Sequence, residues 1–142
     1  MKKRFLFLLF SVFALGSLKA QLPDGSQAPD WILTDLNGNT HHLQEYLDAG
    51  KTVYIDMFAT WCGPCWNYHQ THTLKNLYEQ YGPDGTDQVM VFGIESDIST
   101  PTNCLYDQNC PSSQGDWTAG VPYPIIDITA TNGPNMPNNY AL

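Results

Sequence analysis

Apolar and polar positions recur with different rhythms along this chain, and each rhythm predicts an element. Residues 21–30 are polar, carry Pro23, Gly25 and Pro29, and read as an extended lead-in. Trp31-Ile32-Leu33 and Thr40-His41-His42 then flank Asn37-Gly38-Asn39. An Asn-Gly pair between two short strand-like runs signals a β-hairpin. Leu43 to Leu47 predicts a short helix ended by Gly50. Thr52 to Ala59 is nearly continuous in β-branched and aromatic residues, the pattern of a central strand buried on both faces, with Asp56 its one charge. From Pro64 to Tyr81 the period lengthens to that of a helix, with Leu74, Leu77, Tyr78 and Tyr81 on one face and Gly82-Pro83 as the stop. Val89 to Ile94 predicts a second buried strand and Pro124 to Ile128 a third. Between them, residues 99–120 are rich in Ser, Thr, Asn, Gly and Pro and read as an irregular loop or broken helix. After Ile128 comes turn material and no fourth apolar run. Strands separated by helical stretches predict an α/β sheet with helices on its faces and at least one parallel crossover, from strand 52–59 through helix 64–81 to strand 89–94.

The first twenty residues follow a different logic. Lys2-Lys3-Arg4 precede an apolar stretch from Phe5 to Leu18, and a small residue stands at Ala20. This is the pattern of a signal peptide cleaved before Gln21, although Leu18 and Lys19 depart from the ideal cleavage site; the alternative is a buried helix. Residues 21–142 are then one exported domain, periplasmic or extracellular. No later apolar run is long enough to span a bilayer, so no stable membrane insertion is expected after cleavage. Loss of Lys2, Lys3, Arg4 and Lys19 takes the net charge from −8 to −12 and leaves Lys51 and Lys75 against fourteen acids. Two scattered lysines cannot track a phosphate backbone, which excludes nucleic acid as a partner. Export also lets disulfides persist, and the spacings favour Cys62 with Cys65 and Cys104 with Cys110 among three connectivities.

The segment Trp61-Cys62-Gly63-Pro64-Cys65 stands between a predicted strand and a predicted helix. At a helix start, two cysteines separated by two residues bring their sulfurs together, the first exposed and the second one turn inward. Free backbone N–H groups and the positive end of the helix dipole favour a thiolate at Cys62. Pro64 sits where the helix can spare an N–H. Trp61 packs beside the pair and partly covers it. Such a pair does dithiol–disulfide exchange: Cys62 attacks, and Cys65 releases it.

These five residues match the thioredoxin active-site motif one for one. From about Ala28 to Asp127 the chain resembles exported thioredoxin-like proteins of the cytochrome-maturation and redoxin branch, which share the hairpin before the first central strand. The resemblance implies a central mixed β-sheet flanked by helices, with that hairpin as an N-terminal extension. Asp56 precedes Cys62 by six residues, the spacing at which thioredoxins carry a buried aspartate beneath the second cysteine. Burial would raise its pKa and let it take the proton of Cys65; the alternative is a strand-end aspartate bonded to backbone. Many exported relatives carry an acid three residues after the second cysteine. Here that position is Tyr68, and the acid's role does not transfer. A peroxiredoxin needs a Thr three residues before its reactive cysteine, where this chain has Ala59.

Two other readings of the cysteines remain beside this one. Cys65, His69 and His72 fall on one helical face and with Cys62 offer four Zn or Cu ligand types, against surface or packing histidines as the plainer reading. We expect no metal and no cofactor, since the chain carries no cofactor motif. Cys104 and Cys110 are expected to staple their loop, the alternative being a second redox pair. Thioredoxin-like proteins also carry a cis-proline loop facing the cysteines, two further strands and a closing helix. Pro124 belongs to the strand before that loop, Pro122 is a poor candidate for it, and Asn138 to Leu142 resembles the helix leading into it. The expectation is therefore a domain incomplete at its C-terminus, with an open sheet edge. The function implied is exchange with protein thiols and disulfides, more as reductant than oxidant, fed by a membrane-linked electron donor. The alternative is a redox-silent thioredoxin-like binding or structural module of a larger secreted protein.

Overall fold

The computed structural model describes residues 22–140, so the expected signal peptide lies outside the described residues. Asn37-Gly38-Asn39 turns the chain as expected. The Asp35 carboxylate accepts the Asn37 and Asn39 N–H groups, both at 2.9 Å, and Gly38 takes the positive φ of +86° that the turn requires. The strands on either side, β1 (Ile32–Thr34) and β2 (Thr40–His42), pair antiparallel with Ile32 opposite His42. Period-2 alternation sends Leu33 and His41 inward and leaves Ile32 exposed. Helix α1 (Leu43–Asp48) follows directly, and Gly50, at φ +77°, ends it.

The sheet proper is β3 (Thr52–Phe58), β4 (Val89–Glu95) and β5 (Ile125–Asp127), in that order and parallel throughout. The hairpin joins it antiparallel through a bridge from Asp35 to Ile126, with the Leu36 N–H donating to the Ile125 carbonyl at 2.9 Å. The whole is therefore mixed. Strand β4 is buried along its full length and is the central strand. The expectation of a central strand buried on both faces holds for residues 52–59 only in part: β3 packs apolar side chains on both faces, but Tyr54 is 46% exposed and, among the described residues, β3 has a strand partner on one side alone. A near-continuous apolar run reports a strand, but not how many neighbours it has. Val53, Ile55 and Met57 nevertheless pack on one apolar cluster, around Leu33, Phe92 and Ile126. Phe58 packs on a second cluster across the sheet, with Leu74, Val91, Leu105, Trp117 and Ile125.

The single helix expected over residues 64–81 is two. Helix α2 (Gly63–His69) stops, and α3 (Thr73–Tyr81) begins after His72, whose φ of +58° is left-handed. The Thr71 hydroxyl causes the break locally. It donates to the Tyr68 carbonyl at 2.7 Å and accepts the Thr73 N–H at 3.3 Å, so it competes with the backbone ladder. The apolar face survives the break, because Leu74 is buried and Leu77, Tyr78 and Tyr81 pack on the second cluster. Residues 99–120 are irregular apart from one 3₁₀ turn at Thr102–Leu105. The Met-Pro-Asn-Asn segment read as turn material forms a short helix, α4 (Met136–Asn139), in which buried Met136 joins the first cluster. No cis peptide bond occurs among the described residues, Pro122 and Pro124 included. Among those residues, no helix is long and apolar enough to cross a membrane.

Candidate active site

Strand β3 ends at Phe58, and three residues carry the chain over the top of the sheet to Cys62, the N-cap of α2. Pro64 stands in the first turn, where its missing N–H is not needed. The Cys62 sulfur accepts the Cys65 N–H at 3.3 Å, taking one of the orphan donors of the helix start. Cys62 and Cys65 are joined in a disulfide, and both are half-buried, with Cys65 packed on the second cluster. Cys62, expected to be exposed, is thus half-buried in this oxidised state, while Cys65 packs inward as expected.

Trp61 stands beside the pair, 54% exposed. Its indole N–H donates to the Asp97 carboxylate at 2.9 Å. The Ser99 hydroxyl, the Trp61 indole and the Ser99 backbone N–H hold Asp97 down at a pKa of about 2. Trp61, Cys62, Cys65, Met57, Ser96, Asp97 and Pro137 line an open groove of about 320 Å³. Its surface is mainly apolar, with the disulfide in its wall.

Asp56 lies on β3 opposite Gly93 of β4. Burial raises its pKa, and no side-chain hydrogen bond holds the carboxylate among the described residues. Its charge also raises the Tyr68 and Tyr123 phenols, which places it on the α2 side of the sheet. Among the described residues the Asp56 carboxylate has no backbone hydrogen bond either.

The four metal-ligand candidates are not brought together. Cys62 and Cys65 bind each other, and His69 is stacked on Trp66 with ring centres 5.3 Å apart, 5.1 Å from Trp117. His72 is exposed at the break between α2 and α3. Burial lowers the pKa of His69, the direction that keeps the ring neutral in its aromatic stack.

Cys104 and Cys110 are buried and joined in a disulfide that closes five residues. The limb after it reaches the active-site turn. Gln114 donates its backbone N–H to the Thr60 carbonyl at 3.0 Å and its side-chain amide to the Trp61 carbonyl at 3.2 Å. The Trp117 indole, fully buried and stacked 4.3 Å from Phe58, donates to the same Thr60 carbonyl at 3.2 Å. Gly115 lets Trp66 lie against this limb, since a Cβ there would fall 2.6 Å from the indole. On the other side of Thr60, its N–H donates to the Glu95 carboxylate at 2.5 Å. Sequence reasoning missed Thr60, Glu95, Gln114 and Trp117. One signal was available: Glu95 is an acid directly after the apolar run that ends at Ile94.

Comparison with known proteins agrees with this geometry. The Redoxin family model matches residues 23–126. Thiol-disulfide oxidoreductase ResA of Geobacillus kaustophilus is 37% identical over 73 residues, which are 51% of this chain and 40% of that protein. ResA of Bacillus subtilis is 32% identical over 111 residues, 69% of this chain and 60% of that protein. The chain thus spans 40–60% of the length of these relatives. Among solved structures, a Bacteroides thetaiotaomicron protein proposed as a disulfide isomerase superposes with a TM-score of 0.60 at 24% identity, covering 83% of this chain and 64% of that one. The thioredoxin domain of a Bacteroides vulgatus thiol-disulfide oxidoreductase gives 0.59 at 18%, covering 85% and 75%. With a strand, a helix-capping Cys62 and a disulfide to Cys65 in place on a thioredoxin-like fold, and a family match over most of its length, this chain belongs to the Redoxin family.

Proposed function

We propose that this chain is an exported thiol–disulfide oxidoreductase that exchanges disulfides with protein substrates through Cys62 and Cys65. The observation that carries the reading is the disulfide between the N-cap of α2 and the residue three further on, open to a mainly apolar groove. In the reduced form, the Cys62 thiolate attacks a substrate disulfide. A Cys62–substrate disulfide forms, and one substrate sulfur leaves as a thiolate. Cys65 then loses its proton to Asp56 and attacks the Cys62 sulfur. The second substrate thiol leaves, and the Cys62–Cys65 disulfide seen in the structure is restored. Two electrons have passed to the substrate, and an external dithiol must return them.

The names of the ResA relatives support this class of activity, and the Gly-Pro pair between the cysteines supports the reducing direction. Export rests on the Lys2-Lys3-Arg4 start and the apolar stretch that follows, and in that setting the electron donor is membrane-linked. Trp61, Gly63 and Pro64 face the substrate, and the Cys104–Cys110 disulfide is structural. An insulin-reduction assay with dithiothreitol tests the proposal on the full chain. Turnover that is lost in Cys62→Ser supports it; no thiol-dependent turnover in the unaltered chain refutes it and favours a redox-silent binding module.

A further inference from the structure

Glu95 is the last residue of β4 and is fully buried, 0% exposed. Its carboxylate is bonded at both oxygens. One accepts the Thr60 N–H at 2.5 Å and the other the Asp97 N–H at 2.8 Å. Thr60 lies two residues before Cys62, and Asp97 holds the indole of Trp61, one residue before it. One side chain therefore clamps both supports of the active-site turn. The register explains the reach, since Glu95 pairs with Phe58, the last residue of β3 before the turn.

A buried carboxylate is an expensive way to hold two N–H groups. Each donor supplies a charge-assisted bond, yet loss of water disfavours the ion, and among the described residues no cation offsets that loss. Lys51 and Lys75 pair with Asp87 and Glu79. The groups that face Glu95 make the charge dearer. These are Asp127, its register partner on β5, and Asp97, which follows it in the chain; Asp56 lies on the same side of β3, one strand away. From α2, the half-buried His69 is taken up in the stack with Trp66 and Trp117. Burial, offset in part by the two N–H bonds, lifts Glu95 to a pKa of about 7.

We infer that Glu95 is a positioning residue for the Cys62–Cys65 couple, holding the turn that carries Cys62 and exchanging a proton in step with the pair's change of redox state. The inference rests on the reading of Cys62 and Cys65 as a redox pair. When a dithiol reduces the disulfide, the Cys62–Cys65 bond breaks and the dithiol closes to its own disulfide. Cys65 ends as a thiol and Cys62 as a thiolate. The new negative charge beside the turn favours the neutral form of Glu95, which takes a proton from water. Linkage is reciprocal, so protonation of Glu95 in turn favours the reduced pair.

The test is a carboxyl-carbon NMR titration of the full chain with labelled glutamate, in the oxidised form and after reduction with dithiothreitol. The chain has three glutamates, Glu45, Glu79 and Glu95, and the exposed pair serve as internal controls. Glu95 is expected to titrate higher in the reduced protein by about half a unit or more, while Glu45 and Glu79 stay fixed. Equal Glu95 midpoints in the two states overturn the inference. In Glu95→Gln, the pH dependence of the Cys62–Cys65 potential should lose an inflection near neutrality that the unaltered chain shows; an unchanged dependence also overturns it. The unaltered chain alone decides if the variant does not fold. A chain that shows the Glu95 shift but reduces no protein disulfide leaves this inference standing and refutes the proposed function, and insulin turnover with equal midpoints does the reverse. A pair that dithiothreitol cannot open refutes both.

Discussion

Replacing Glu95 with Gln should change how the stability of the oxidised protein depends on pH. In an unstructured chain a glutamate titrates near 4.5, and in the fold this one titrates at about 7. The native state therefore holds the proton more tightly than the unfolded state does. Its contribution is fully present below pH 4.5 and is lost as pH rises through about 7. The 2.5-unit difference, at about 1.4 kcal/mol per unit, amounts to roughly 3 kcal/mol between about pH 4 and pH 8. That is a large share of the stability of a domain this size. Gln cannot titrate, so the variant lacks this part of the profile. Urea unfolding followed by tryptophan fluorescence, repeated across that range, gives the stability of each protein at each pH. The stability of the unaltered chain minus that of the variant should fall by about 3 kcal/mol from the acid to the alkaline end. Asp56 and Asp127, raised by burial, act in the same direction and His69, lowered by burial, acts in the opposite one; all three are present in both proteins, so their own titrations cancel in the difference and only the coupling of Asp127 to the Glu95 charge stays in it. A difference that stays constant with pH would refute the assignment of this titration to Glu95.

Other substitutions probe neighbouring parts of the site. Trp117→Phe removes the indole donor to Thr60 and leaves a void beside Phe58, and should cost about 2 kcal/mol in urea unfolding; a cost near zero would mean that the stack and the bond contribute nothing. Joint replacement of Cys104 and Cys110 by Ser opens a short loop and should lower stability by about 2 kcal/mol while Cys62 and Cys65 remain bonded, as read by the melt and by mass spectrometry of alkylated thiols. Asp56→Asn removes the proposed proton acceptor and should slow release of the Cys62–substrate disulfide by about 100-fold, so that the mixed species accumulates when reduced protein meets a disulfide peptide; an unchanged release rate would remove Asp56 from the mechanism.

Local chemistry was legible in the sequence because its determinants lie within a few residues of one another. Asn37-Gly38 specifies the hairpin, and the Cys62–Cys65 spacing across a strand-to-helix junction already names a redox pair. The pairing of Cys104 with Cys110 followed from the same proximity. The break at residues 70–72 lay at the limit of such reading, since a regular apolar face continues across it and only the Thr71 hydroxyl interrupts the ladder. What holds the active-site turn was decided by tertiary structure alone. Thr60 offers one N–H and one carbonyl like any other residue, and nothing in its own segment says that Glu95, 35 residues on, and Trp117, 57 residues on, will meet them. Those partners arrive because β3 and β4 pair with Phe58 beside Glu95 and because a disulfide-stapled loop folds over α2. Whether β3 is central or at an edge is likewise set by strand pairing, which a strand's own apolar pattern does not encode. The sequence by itself determined which cysteines pair at the strand-to-helix junction where the sulfur chemistry is proposed. Only the fold decided which buried carboxylate grips the turn that presents them, because burial and long-range hydrogen bonding are properties of the packed chain and not of any segment within it.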